Sequence, residues 1–398
     1  MNRNVKVLVA SRVIRSFSFG YLSFIIPLYL KSIGLNPVLI GLYFMINAIS
    51  SSLLVLAAGF LGDLYGRRDT LMAMSSLFTI SMLIYSTTTN KLAIFITSIL
   101  GTTGGGGPGG GAGGGPVTPL QTSLLADNTS SVERTRVYSI TTAASTASSL
   151  AGAASSYLLL SIGLGDLFLF RLSTVLSVLS LLILLMVSRD KGRVKGISIN
   201  QILPRRSSGP VIKIAIAGSL GSLGLGMVTP LLPLWFKLYL HATELDINII
   251  YMVSYLVSMV STLLADRVER IMGRVKGISV LRAISVGLFV VMAVIPSLII
   301  DSMLYVIRVA LYMVTIPMRQ SLSMEVMDRD ERARGLSITG LARRLPYSLG
   351  SFIAGLMMNA SLFTLSMITG GLVSMLDPVL YYVFFRSIKV EGRGNINE

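Results

Sequence analysis

Five arginines and one aspartate stand where apolar sequence would be expected to continue: Arg12, Arg15, Arg308, Arg343, Arg344 and Asp377. A guanidinium keeps its charge and offers a planar fork of donors that matches carboxylates and phosphates. Each arginine at the centre of a lone membrane span costs about 2.5–3.5 kcal/mol, so the Arg343-Arg344 pair costs about 5–7 kcal/mol if nothing partners it. Asp377 neutralises one of the two on this reading. The others must face water, a backbone carbonyl or an anionic ligand.

Spacing sorts these residues. Arg12 and Arg15 are three apart and share a helix face. Arg12 is shallow enough to snorkel to the membrane surface, and Arg308, set between Tyr305 and Tyr312, either snorkels outward or faces a cavity. Arg343 and Arg344 lie near mid-span and are read as cavity residues. The candidate substrate contacts are therefore Arg15, Arg308, Arg343 and Arg344, with Asp377 as a proton or ion-pair site.

Composition says what surrounds them. The 398 residues are 53% hydrophobic and 13% charged, which excludes an ordinary soluble domain. Mean hydropathy is +0.74. The net charge of +16 raises the question of nucleic acid, but the basic residues fall between apolar runs and not in one patch. There is no cysteine, and His241 is the single histidine, so thiolate metal sites and histidine-based catalysis are not expected. No metal and no cofactor is called for.

Twelve spans of about 20 residues are expected, beginning near Val7, Val38, Thr70, Leu92, Val137, Leu167, Val211, Asn248, Ile278, Met303, Leu336 and Leu362. With the N-terminus inside, the outer loops hold only Lys31, Lys91 and Lys237. All other assigned basic residues, Arg282 and Arg319 among them, are counted on the inner side. That asymmetry predicts a multi-pass membrane protein with both termini cytoplasmic, and the short loops and tails point to the plasma membrane.

The chain also repeats itself. Pro119, Glu133, Arg134, Arg136 and Ser139-Ile140-Thr141 recur 198 residues later as Pro317, Glu331, Arg332, Arg334 and Ser337-Ile338-Thr339, with Asp127 opposite Glu325. Gly20, Pro27, Leu28 and Lys31 recur as Gly226, Pro233, Leu234 and Lys237. Two six-helix units are expected, at 1–188 and 211–398, joined by a basic linker at 189–210.

One short link is more specific than the rest. Gly59-Phe60-Leu61-Gly62-Asp63-Leu64-Tyr65-Gly66-Arg67-Arg68 separates two apolar runs. It places a carboxylate at the membrane boundary, a glycine for a sharp turn and two arginines after it. The segment resembles the signature between helices 2 and 3 of the major facilitator superfamily of secondary transporters, although Leu64 stands where that signature usually has a basic residue. The resemblance implies an all-α membrane fold of twelve helices in two pseudo-symmetric bundles. It also implies alternating access, with helices 1, 4, 7 and 10 lining a central cavity and helix 12 peripheral. Gating residues implied are Gly59, Asp63, Gly66, Arg67, Arg68, Asp127, Arg134, Asp266, Glu325 and Arg332. Asp63 and the arginines after it are expected to hold the two halves together on the cytoplasmic face, with Asp266 facing Arg134 and Arg136 as the counterpart.

Gly104 to Gly115 contains ten glycines in twelve residues. No Gly-Lys-Ser/Thr follows, so a phosphate-binding loop is not expected. The run is read as a close-packed, kinked helix 4.

The expected function is secondary active transport of a small solute, an organic anion by the arginine bias. Coupling to protons is left open, with Asp63 and Asp377 as the available carboxylates. The alternative is proton-coupled efflux of drugs or hydrophobic compounds, for which Tyr21, Tyr29, Trp235 and Tyr239 would suit. An intramembrane lipid-modifying enzyme would need paired acids or a histidine group at one membrane face. The partners expected are the solute, the lipid bilayer and no nucleic acid, with the monomer as the working unit.

Overall fold

The computed structural model describes residues 2–104, 107–108, 115–130, 133–189, 206–328 and 331–386, and for Asp63, Arg134, Thr135 and Ala333 the backbone alone. Most of the expected linker lies outside these residues. Every regular element among them is helical. The first set is α1 (Arg3–Ser32), α2 (Pro37–Tyr65), α3 (Arg67–Thr87), α4 (Lys91–Ile96), α5 (Val117–Asp127), α6 (Arg134–Ser161) and α7 (Asp166–Leu184). The second is α8 (Ser208–Val228), α9 (Leu232–Tyr239), α10 (Glu244–Leu263), α11 (Ala265–Met272), α12 (Arg274–Val294), α13 (Leu298–Glu325), α14 (Arg332–Asn359) and α15 (Phe363–Phe385).

Local sequence explains the ends. Asn36 accepts from the Leu39 amide at 2.9 Å and Pro37 follows, so α2 starts there. Thr243 and Asp246 close a reciprocal capping box on α10. Gly66, between α2 and α3, has φ 96° and Gly273, between α11 and α12, has φ 74°, backbone that a side chain would strain.

Nine spans among the described residues are long and apolar enough to cross a membrane, with α8 and α9 counted as one. The other three expected spans correspond to α6, α14 and the α4–α5 stretch. The first two are 28 residues long but dilute their hydropathy with Ser, Thr, Gly and Arg. Leu263 is 80% exposed and Ile299 75%, an outer surface suited to lipid and not to water.

Helix 4 is not continuous, contrary to expectation. After α4 a 3₁₀ turn runs from Thr97 to Leu100, and Gly101 turns left-handed at φ 63°. Gly101 to Gly104, Gly107, Pro108, Gly115 and Pro116 are non-helical, and α5 begins at Val117. Polar side chains hold the break. Tyr43 Oη lies 3.0 Å from Thr97 Oγ1 and 2.7 Å from Thr103 Oγ1, and Asn47 Nδ2 donates to Thr103 Oγ1 at 2.8 Å. Non-helical backbone is tolerated at membrane depth where it lines a cavity. Gly104, Gly107 and Pro108 do line one.

The two sets pack by the same device. A Cβ on Gly20 of α1 would fall 2.0 Å from Ser149 O of α6, and one on Gly226 of α8 would fall 2.0 Å from Tyr347 O of α14. Each glycine lets two backbones touch.

The apolar cores show how the sets meet. At one end a single core joins them, with Phe24 of α1 and Tyr251 of α10 at 5.2 Å between ring centroids. At the other, where the arginines of the interhelical turns lie, each set keeps a core of its own. The molecule is sealed at the first end and parted at the second.

Candidate functional site

Three contacts close the sealed end. Tyr255 Oη donates to Phe19 O at 3.1 Å, and the Asn248 amide meets Ser156 Oγ at 2.8 Å. Gly41 of α2 and Gly355 of α14 stack, so that a Cβ on Gly355 would lie 2.5 Å from Pro37 O and 3.0 Å from Gly41 Cα.

Below the seal lies a cavity of about 300 Å³ between the two sets. Asn47, Ser51, Thr103 and Gly104 line it from the first set, and Tyr251, Tyr305, Arg308, Tyr312, Arg344 and Tyr347 from the second. A second space of about 490 Å³ lies between α2, α5 and α14. Arg344 lines both, which places it on the path from the parted end to the cavity. Among the described lining residues of the central cavity, Arg308 and Arg344 are the charged ones.

Arg308 is fixed by rings. Its guanidinium carbon sits 4.6 Å from the Phe289 centroid and 4.8 Å from that of Tyr312. Its Nε has no partner, and neither has Nη1 of Arg344. Both therefore hold unused donor capacity beside the cavity.

The other arginines divide differently from expectation. Arg343 does not line the cavity. A Cβ on Gly218 of α8 would lie 2.8 Å from Arg343 Cγ and 3.3 Å from Arg319 Nη2, so both side chains pack over one glycine. Arg15 is 5% exposed and stacks beside Phe19 and Phe78 at 5.3 and 5.5 Å, with Nε and Nη2 unpartnered. It sits behind the break in helix 4, near Gly115, and not in the cavity lining.

Asp377 is not the partner of Arg343 or Arg344. Its Oδ2 accepts from Arg282 Nη1 at 2.7 Å and from Arg319 Nη1 at 2.8 Å. Arg282 and Arg319, counted from sequence as inner-side charges, are 3% and 6% exposed inside α12 and α13. Arg282 also donates from Nε to Thr315 Oγ1 at 3.0 Å and lies 4.6 Å from the Tyr312 ring. Tyr312 thus has Arg308 on the cavity side and Arg282 on the Asp377 side. Asp377 joins α15 to α12 and α13, so helix 12 is tied into the core by charge.

The turn arginines repeat one contact in both sets. Arg67 pairs with Asp127 at 2.5 Å, joining the start of α3 to the end of α5. Arg274 pairs with Glu325, joining α12 to α13, and with Glu269 at 2.6 Å. Arg68 donates to Asp69 and to Leu185 O, each at 2.9 Å. Each contact lies within one set. The expected latch turns on Asp63, whose side chain lies outside the described residues. Asp266 pairs with Arg270 one turn on, at 2.7 Å and well exposed, and not with Arg136. The side chains of Asp63 and Arg134 lie outside the described residues. A Cβ on Gly59 would meet open space, and Arg332 donates from Nε to Met327 O at 3.3 Å.

The cavity aromatics also differ from those expected. Tyr21, Tyr29 and Trp235 are buried in the joined core, with Tyr239 packed against it. The rings that face the cavity are Phe44, Tyr251, Tyr305, Tyr312 and Tyr347.

Comparison with known proteins agrees with this architecture. A family model described as Major Facilitator Superfamily matches residues 8–351 and 214–396. No curated protein matches the chain. Among solved structures, an auto-inhibited peptide transporter of the POT family superposes with TM-score 0.78 at 11% identity, covering 99% of each chain. A D-xylose–proton symporter gives 0.73 at 17% identity, covering 96% of this chain and 98% of its own. The human organic anion transporter MFSD10 gives 0.65 at 13%, covering 95% and 99%. Identities this low establish a shared fold, and the three transporters are named for three different solutes.

Proposed function

Because the chain belongs to the major facilitator superfamily, and is a multi-pass membrane protein built for secondary transport of a small solute, we propose that the solute is an organic anion with an aromatic or apolar body. The observation that supports this is the pairing of Arg308 and Arg344 with four tyrosines and a phenylalanine around one cavity. Guanidinium donors bind a carboxylate, sulfonate or phosphate, and the rings take up the apolar remainder. On this reading the halves 1–188 and 211–398 rock about the cavity. The positive-inside rule supports a cytoplasmic parted end.

The test is thermal stabilisation of the detergent-solubilised chain by para-aminohippurate, a lipophilic cation and a neutral sugar. A ligand that prefers the folded state raises the melting temperature by mass action. The anion is expected to stabilise the wild type. Arg308→Gln and Arg344→Gln should each weaken its binding about 10- to 100-fold, the value of a hydrogen bond to a charged group. Stabilisation by the cation, equal in all three proteins, would sink the anion reading and favour efflux of hydrophobic compounds.

A further inference from the structure

If Arg308 and Arg344 hold the anion as read above, the same pocket constrains what can travel in the opposite direction. No acidic residue is among the described residues lining either space. Of the buried acids, Asp377 is engaged by Arg282 and Arg319, and Asp301, about two turns before Arg308 on α13, lines neither space; the further charge beside the Asp377 cluster, Arg343, is also positive. Arginine does not release its proton at physiological pH. Among the described residues a proton therefore has no carboxylate lining the cavity to bind.

To change access, the parted end must close before the sealed end opens. In that closed state Arg344 loses the access it now has through the space between α2, α5 and α14, and Arg308, already 5% exposed, gains no partner in its place. With an anion bound the charges are paired; without one, two guanidiniums are left dry and unpartnered, the arrangement a membrane interior penalises most. Neither ring partner of Arg308 removes that cost, since its Nε stays free between them.

We propose that the chain is an obligate anion exchanger: an anion occupies the arginine pocket on both the outward and the return passage, and the empty carrier is arrested with its sealed end shut. Protons take no part in the exchange.

The chain has no cysteine, so a single reporter can be placed without removing any. In Asn248→Cys the thiol lies at the contact with Ser156 and becomes reachable from the sealed side when that end opens. In liposomes free of any organic anion, labelling by an impermeant maleimide from that side is expected to be slow. In the same background carrying Arg308→Gln and Arg344→Gln it should be at least about tenfold faster, because a neutral cavity closes empty. Equal rates overturn the proposal, and a melting curve of each variant excludes labelling through unfolding. In the second arm, uptake of radiolabelled para-aminohippurate should be at least about tenfold faster into liposomes preloaded with the unlabelled compound than into empty ones. An imposed pH gradient should leave it unchanged. Equal uptake into empty liposomes, or uptake driven by the pH gradient, overturns exchange while leaving the anion reading intact. If para-aminohippurate neither stabilises the chain nor enters, the anion reading fails, and the cysteine arm alone decides whether the bare arginines arrest the carrier.

Discussion

Asp377→Ala is expected to destabilise the folded chain by about 3–5 kcal/mol, the largest single-residue effect the structure predicts. The carboxylate is shared by Arg282 and Arg319 at 2.7 and 2.8 Å, and all three side chains are almost fully buried. Removing it leaves two guanidiniums unpaired, with the Arg343 side chain packed beside Arg319. Breaking a buried pair from one side is far costlier than replacing all partners by apolar groups. The triple variant Asp377→Leu with Arg282→Met and Arg319→Met should therefore melt closer to the wild type than Asp377→Ala does. Scanning fluorimetry in detergent measures both. If Asp377→Ala melts with the wild type, the cluster is hydrated and its charges are not coupled.

A second large effect is expected at the seal. Gly355→Leu places a side chain 2.5 Å from Pro37 O and 3.0 Å from Gly41 Cα, backbone atoms of α2 that have no rotamer to change. Overpacking of this kind costs about 1–3 kcal/mol, which lowers the sealed population about 5- to 150-fold. Spin labels at Ile162→Cys and Ile295→Cys, exposed positions at the sealed end, report the change. The distance between them should lengthen and broaden in Gly355→Leu, with transport falling in parallel. An unchanged distance would mean that α2 and α14 do not form the seal.

Much of the fold was readable because it is spelled in residue types at fixed offsets. Gly66 and Gly273 are glycines because the turns need positive φ, and the 198-residue repeat pairs Asp127 with Glu325, which do take equivalent arginines. The candidate site was readable only in part. Counting basic residues by segment does not measure depth. Arg282 stands eight residues beyond the start of α12, about 12 Å along the axis, and Arg319 six residues before the end of α13, about 9 Å. Both were assigned to the surface for that reason. Asp377 was then matched to the wrong arginines, because sequence does not say which helix faces which. Tyr305, Arg308 and Tyr312 were placed at helical spacing, but the partner of Tyr312 on its far side comes from α12. The break in helix 4 was missed for a different reason. Continuous helix is the default in lipid, and side chains from other helices, Tyr43 and Asn47 of α2 and Ser81 of α3, hold the alternative.

That break separates what the two helix sets give to the cavity. The fourth span of the first set is interrupted after Thr97, while α13 of the second runs unbroken through Pro317. The charged residues at the cavity, Arg308 and Arg344, come from the second set, and Asn47, Ser51, Thr103 and Gly104 of the first lend it only neutral groups. A chimera assembled from two first sets would therefore lack both arginines, and one assembled from two second sets would bring four of them to one cavity.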